Sequence, residues 1–201
     1  VGAPKDSNMT VVDSEAETAG LGEFSLSYEQ PEQTDSITIS SKKGVGDFYT
    51  SNIEIVNVIF AEKVTMTDSD LRFDDASKVV IAADDSFFMR DFVGDTSKEV
   101  NKLEEISITG KETISLGSTV NTEQLKTISA TATNELSVGT LGSGSIETIS
   151  LTSQNADLNI SKINLTNKKG TATLNLSAKG QISDGSNSAA NVESSAGNII
   201  A

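Results

Sequence analysis

Along residues 103 to 152 the apolar side chains fall on alternate positions, and they do so three times in nearly the same words: LEEISIT from Leu103, LKTISAT from Leu125 and IETISLT from Ile146. A period of two places Ile, Leu and Ala on one side of a strand and Ser and Thr on the other. A second apolar beat follows each line, as ETISLGS, ELSVGT and DLNISKINLT, and the alternation runs on through TATLNLSAKG and QISDGS. Each unit thus holds two or three short strands separated by Gly, Ser or Asn. A repeat of roughly 20–25 residues built this way predicts a β-solenoid, in which each repeat winds one coil and inward residues stack on their counterparts in the next.

Upstream the same alternation appears in GEFSLSYEQ and TDSITISS on either side of Pro31, then in NIEIVNVIF, KVTMT and KVVIAADD. Aligning Ile55 and Val79 with Leu103, Leu125 and Ile146 gives intervals of 24, 24, 22 and 21 residues. The expected fold class is therefore all-β: a β-solenoid of parallel β-helix-like coils of about 21–24 residues over 53–201, preceded by N-terminal β strands over 21–52 and a flexible acidic arm over 1–20. The rival architecture is an antiparallel sandwich whose strands share a Thr-Ile-Ser vocabulary.

Composition sharpens this picture. All seven phenylalanines and both tyrosines precede residue 93, so the repeats must build their core from Ile, Leu, Val and Ala. Such side chains suit a narrow solenoid, where β-branched residues stack in ladders and a ring is expected to force coils apart. There is no cysteine and no histidine, which removes disulfides, thiolate chemistry and the commonest general base together. Net charge is −14, a balance that repels nucleic acid and anionic membranes, and the excess of acid lies in the first half. No apolar run approaches the roughly 18 residues of a membrane helix, so no membrane insertion is expected.

Candidate chemistry is sparse. The stretch from TDSDLRFDD to AADDSFFMRDF concentrates Asp68, Asp70, Asp74, Asp75, Asp84 and Asp85, a supply of hard oxygens that suits calcium; the alternative is a solvated acidic face with Asp at turns. Within SFFMRDF, Phe87, Phe88, Met89 and Phe92 read either as core or solenoid cap, or as an apolar anchor for a neighbouring subunit. Sequons stand at Asn159, Asn164 and Asn175, as expected by chance in so Ser/Thr-rich a chain. Glu104, Glu112, Glu135 and Glu147 are scattered among lysines and read as solvated, and the many serines have no histidine to activate them. An enzyme is not expected.

The run ITGKETISLGSTVNTEQLKTISAT, followed by LGSGSIETISLTSQNADLNI, resembles the repetitive β-solenoid segments of bacterial surface-layer proteins and of large RTX-type secreted cell-surface proteins, over roughly residues 100–185. That resemblance implies an extracellular or cell-surface structural protein that associates with itself, often with calcium. An independent argument runs the same way. A solenoid leaves an open edge at each end, and the closing SSAGNIIA carries Ile199 and Ile200 with no charged cap, so either more chain or another subunit is expected to cover it. Val11 and Val12 of the arm are candidates to add as a strand to a neighbour's sheet. The expected function is assembly into a surface lattice or filament, head-to-tail or by strand addition; the alternative is an adhesin or fibre module that binds a surface ligand.

Overall fold

The structure, a computed structural model, describes residues 9–12, 24–27, 36–42, 48–51, 53–66, 71–73, 76–93, 102–120, 122–165, 171–184, 192–194 and 199–200, with backbone path and register alone for several of the outer strands. The chain is an all-β solenoid, and every strand pairing among the described residues is parallel.

A first ladder stacks Met9–Val12, Ser36–Ser41, Ile55–Phe60, Lys78–Ala83, Glu105–Gly110, Thr127–Ala132, Thr148–Ser153, Ala172–Ala178 and Ile199–Ile200 in that order. The second sheet holds the strands between them and is itself bent into two ladders. The pairing of Phe87–Val93 with Ile114–Val120 skips Arg90 and Gly117, and that of Leu136–Ser143 with Leu158–Leu165 skips Gly139 and Ser161, which marks the bend. Elsewhere the two halves are separate strands: Val64–Met66 and Leu71–Phe73 both pair with Phe87–Val93, and Ile182–Ser183 and Val192–Ser194 both pair with Leu158–Leu165. Each coil thus visits three ladders in turn.

Alternation fixes which side chains face inward. Ile37, Val56, Val79, Ile106, Ile128, Ile149 and Leu174 form one continuous row through the first ladder, none more than 4% exposed. Burying each such side chain contributes about 1.5–3 kcal/mol. At Gly139 the phase slips by one: Leu136 and Val138 are buried before it and Leu141 after it, which is how the strand turns its inner face around the bend. Three-residue connections at 61–63, 84–86, 111–113 and 133–135 join the first ladder to the second, and backbone bonds carry the stacking across them, as from Lys111 N to Ala83 O at 3.0 Å and Thr133 N to Gly110 O at 2.9 Å.

The repeat alignment holds in its later part and shifts in its earlier part. Glu105, Thr127 and Thr148 share one register position, so Leu103, Leu125 and Ile146, two residues earlier, are equivalent as expected. Lys78 and Ile55 occupy that same position, which makes Ala76 and Ile53 the counterparts of Leu103 rather than Val79 and Ile55. Both are fully buried. An alignment by the largest aliphatic side chain passes over an alanine in the same inward site.

The N-terminal part is also placed differently from expectation. Met9–Val12, within the expected arm, lies parallel on Ser36–Ser41, and that strand pairs with Ile55–Phe60. Phe24–Ser27 and Phe48–Ser51 continue the ladder that leads to Leu71–Phe73. The boundary drawn at residue 52 therefore falls inside the same two sheets.

Candidate functional site

With the apolar rows consumed by the core, function is left to what the coils show on their outer faces, and these differ by ladder.

Where the third ladder returns to the first, charged residues stack in register. Lys126 follows Glu104 one coil on and precedes Glu147, so an ammonium group sits between two carboxylates. Lys126 Nζ lies 2.8 Å from Glu104 Oε2, and Lys78 Nζ lies 2.8 Å from Glu105 Oε1 beside it. The hydrogen bond to Glu104 raises the Lys126 ammonium above its ordinary pKa, desolvation opposes it, and the fields of Glu104 and Glu147 add to the rise. These side chains, with Ile55, Ser77 and Thr127, line an open groove of about 290 Å³. Of the glutamates read as solvated from the sequence, Glu104 and Glu147 flank Lys126 in a row of alternating sign, while Glu112 accepts from Asn134 and Glu135 accepts from Ser137 and Asn159 on the second sheet.

On the second sheet polar side chains bind backbone and side-chain groups of the neighbouring coil. Ser118 Oγ accepts from Thr140 N at 3.0 Å, and Thr119 Oγ1 accepts from Gly142 N while donating to Gly142 O, both at 3.0 Å. Asn159 Nδ2 donates to Glu135 Oε1 at 3.0 Å, and its Oδ1 accepts from Ser183 Oγ at 2.9 Å. The sequon asparagine Asn159 thus ties coils on the second sheet, and Asn175 ties later coils of the first ladder through a 3.1 Å bond to Ser150 Oγ.

The first ladder's outer face behaves otherwise. Its outward positions from 105 to 177 are Ser and Thr apart from Glu105 and Asn175, and the side chains of Ser107, Ser129, Thr131 and Thr152 make no hydrogen bond among the described residues. Two coils earlier the same face shows Ile55, Ile59, Val80 and Ala82, with Ile59 38% exposed. No sequence signal announced that face, because the alternation that marks its strands says nothing about where an outward isoleucine replaces a serine.

The expected site residues are dispersed. Of the acidic set, Asp84 pairs with Lys111 at 2.8 Å, and Asp85 Oδ1 accepts from Ser86 N at 2.5 Å in the bend between the first two ladders. Asp68, Asp70, Asp74 and Asp75 lie outside the described residues, and among the described residues no three acidic side chains converge as a metal site would require. The aromatic cluster is split by alternation: Phe87 and Met89 are core, at 0% and 4% exposure, the first of the two readings of that stretch and not the anchor for a neighbouring subunit. Phe88 points outward, with Lys63 Nζ 5.3 Å from its ring centre, while Phe92 continues the strand opposite Thr119. Val11 and Val12 pair with Ile39 and Ser40 of their own chain in the first strand of the ladder's order, and Ile199 and Ile200 pair with Ala172 and Thr173 in its last.

Comparison with family models, with characterised proteins and with solved structures finds no match at any of the three levels. The arrangement presents charges and hydroxyls at the spacing of the coils.

Proposed function

We propose that the chain is an extracellular structural protein whose copies associate into a surface lattice or filament. The observation that carries this reading is the pair of edges of the first ladder. One edge is Met9–Val12 and the other Ile199–Ile200, and both run parallel to the strands between them. A row of N–H and C=O groups on one edge is matched in direction by the opposite edge of a second copy, so copies can add coil to coil without reversing polarity. The second ladder supports the same reading: its last described residue pair is Ile182–Ser183, and Ile182 is 40% exposed above the fully buried Leu158. A further coil placed there would return that isoleucine to the row it continues.

Negative-stain electron microscopy of the purified chain, dialysed with and without millimolar calcium, tests this reading. Filaments or sheets whose formation is lost in Ile182→Asp are the expected result, and a requirement for calcium would direct attention to the acids from Asp68 to Asp85. Dispersed single particles in both conditions would refute assembly.

A further inference from the structure

We propose that the outward face of the first ladder is a two-fold, face-to-face contact between copies of this chain, centred on Ile55, Ile59, Val80 and Ala82. This deepens the self-assembly reading and rests on it, adding a lateral contact to the end-to-end one.

A sheet with one solvated face alternates apolar inward and polar outward, and the coils from 105 to 177 obey that rule. The coils Ile55–Phe60 and Lys78–Ala83 break it at four of their six outward positions, where Ile55, Ile59, Val80 and Ala82 stand beside Asn57 and Lys78 on adjoining strands. Nothing among the described residues lies over them, and Ile59 remains 38% exposed. An apolar centre bordered by polar residues is the composition of an interface rather than of a solvated sheet.

Charge selects the occupant. The chain carries −14, so two copies that meet at random oppose carboxylates. On the ladder's outward positions the one acid, Glu105, is neutralised by Lys78 at 2.8 Å, the groove that Ile55 borders pairs Glu104 with Lys126 beside Glu147, and the remaining described outward residues from 127 to 177 are uncharged. A second copy can therefore approach here without repulsion. The free hydroxyls beside the apolar centre each serve as donor and acceptor, so identical faces related by a two-fold axis can satisfy one another. Area agrees: the strands from Ser36–Ser41 to Ala172–Ala178 span about 34 Å by 20 Å at the usual strand spacing and rise, roughly 670 Å² per copy and about 1,300 Å² for the pair, within the range of specific interfaces.

The test is sedimentation equilibrium and negative-stain microscopy on the full chain, on Ile59→Asp and on Ile182→Asp. Ile59 faces outward, so Ile59→Asp should keep the wild-type urea midpoint while weakening lateral pairing at least tenfold, turning paired filaments into single ones. Ile182→Asp should stop elongation and leave discrete dimers. If Ile59→Asp assembles with unchanged width and affinity while Ile182→Asp does not assemble, the face contact is wrong and end-to-end assembly stands. Face dimers without filaments would sustain the inference while end-to-end assembly fails. Monomers throughout would overturn both. A monomer whose urea midpoint drops in Ile59→Asp would mean that a segment of the same chain covers the face, which also overturns the inference.

Discussion

Replacing Ile128 by alanine tests the stacked core at its centre. Ile128 is 2% exposed and sits in register between Ile106 of the preceding coil and Ile149 of the next, with inward neighbours on both sides. The substitution removes three carbons, about 2.4 kcal/mol at roughly 0.8 kcal/mol per buried methylene, and leaves a void that neighbours hydrogen-bonded on two sides cannot collapse into. The expected loss is about 3 kcal/mol. Ser129→Ala, one residue along, changes an outward side chain with no hydrogen-bond partner among the described residues and should stay within about 0.5 kcal/mol of wild type. Urea unfolding followed by far-UV circular dichroism measures both. Because each coil touches only its neighbours, hydrogen exchange should accelerate first in residues 105–153. Equal losses for the two variants, or a larger loss for Ser129→Ala, would refute the inward assignment. A soluble, folded Ile128→Asp protein would do the same, since it would bury a lone carboxylate between two coils.

Three further outcomes follow from particular contacts. A Cβ on Gly139 would stand 2.8 Å from both the carbonyl carbon and oxygen of Gly117, so Gly139→Ala should cost about 2 kcal/mol or more in thermal unfolding; Gly144, with nothing within 4 Å of such an atom, should accept alanine with a change under about 0.5 kcal/mol. The raised pKa of Lys126 means that its contribution is complete below the ordinary lysine value of 10.5 and is lost as pH climbs through the higher folded-state value, so an alkaline series of urea midpoints should fall less steeply in Lys126→Met than in wild type. A Cβ on Gly110 would come within 2.7 Å of Ile114 Cγ1, so Gly110→Ala should destabilise the wild type but far less an Ile114→Ala background, with a coupling of about 1 kcal/mol or more in a double-mutant cycle.

The fold was largely legible because its determinant is periodic. The lines around Ile106, Ile128 and Ile149 repeat both their alternation and their lengths, and register follows from matching them. Legibility failed where coil length varies. Val79 and Ile106 share a register position although 27 residues separate them, against 22 between Ile106 and Ile128, so no single period carries the early coils onto the later ones. The candidate surfaces were less legible for a different reason. Ser118 and Thr119 are tied to the next coil while Ser129 and Thr131 are not, yet all four read alike as polar strand residues; what separates them is that backbone pairing between Ile114–Val120 and Leu136–Ser143 stops at Leu116 and Val138, so Thr140 N and Gly142 N donate to side chains instead. Phe87 and Phe88 likewise look equivalent as neighbours in sequence, and only their parity relative to the ladder sends one into the core and the other towards Lys63.

The confinement of aromatic residues to the first half has a cause other than the expected one. The rings of Phe60 and Phe87, from adjoining coils, lie 5.3 Å apart with planes 22° from parallel, close to the roughly 4.8 Å between neighbouring strands, so a stacked ring does not force coils apart. The limit is the volume of the corner between the first and second ladders, which is shared by the last inward residue of one strand and the first of the next. Phe60 is followed by Val64, but Phe87 is preceded by Ala83 and Ile114 by Gly110, so a large side chain on one side of the corner is met by a smaller one on the other. Later coils keep the arrangement with Ala132 before Leu136 and Ser153 before Leu158. Each coil thus places one large and one small group at this corner, and its strands can remain in register while the identity of the large group drifts from Phe to Ile to Leu. A second ring in the same coil would overfill the corner, whereas an aliphatic side chain of leucine size fills it beside alanine or serine, and this lets the later repeats dispense with rings without opening a void.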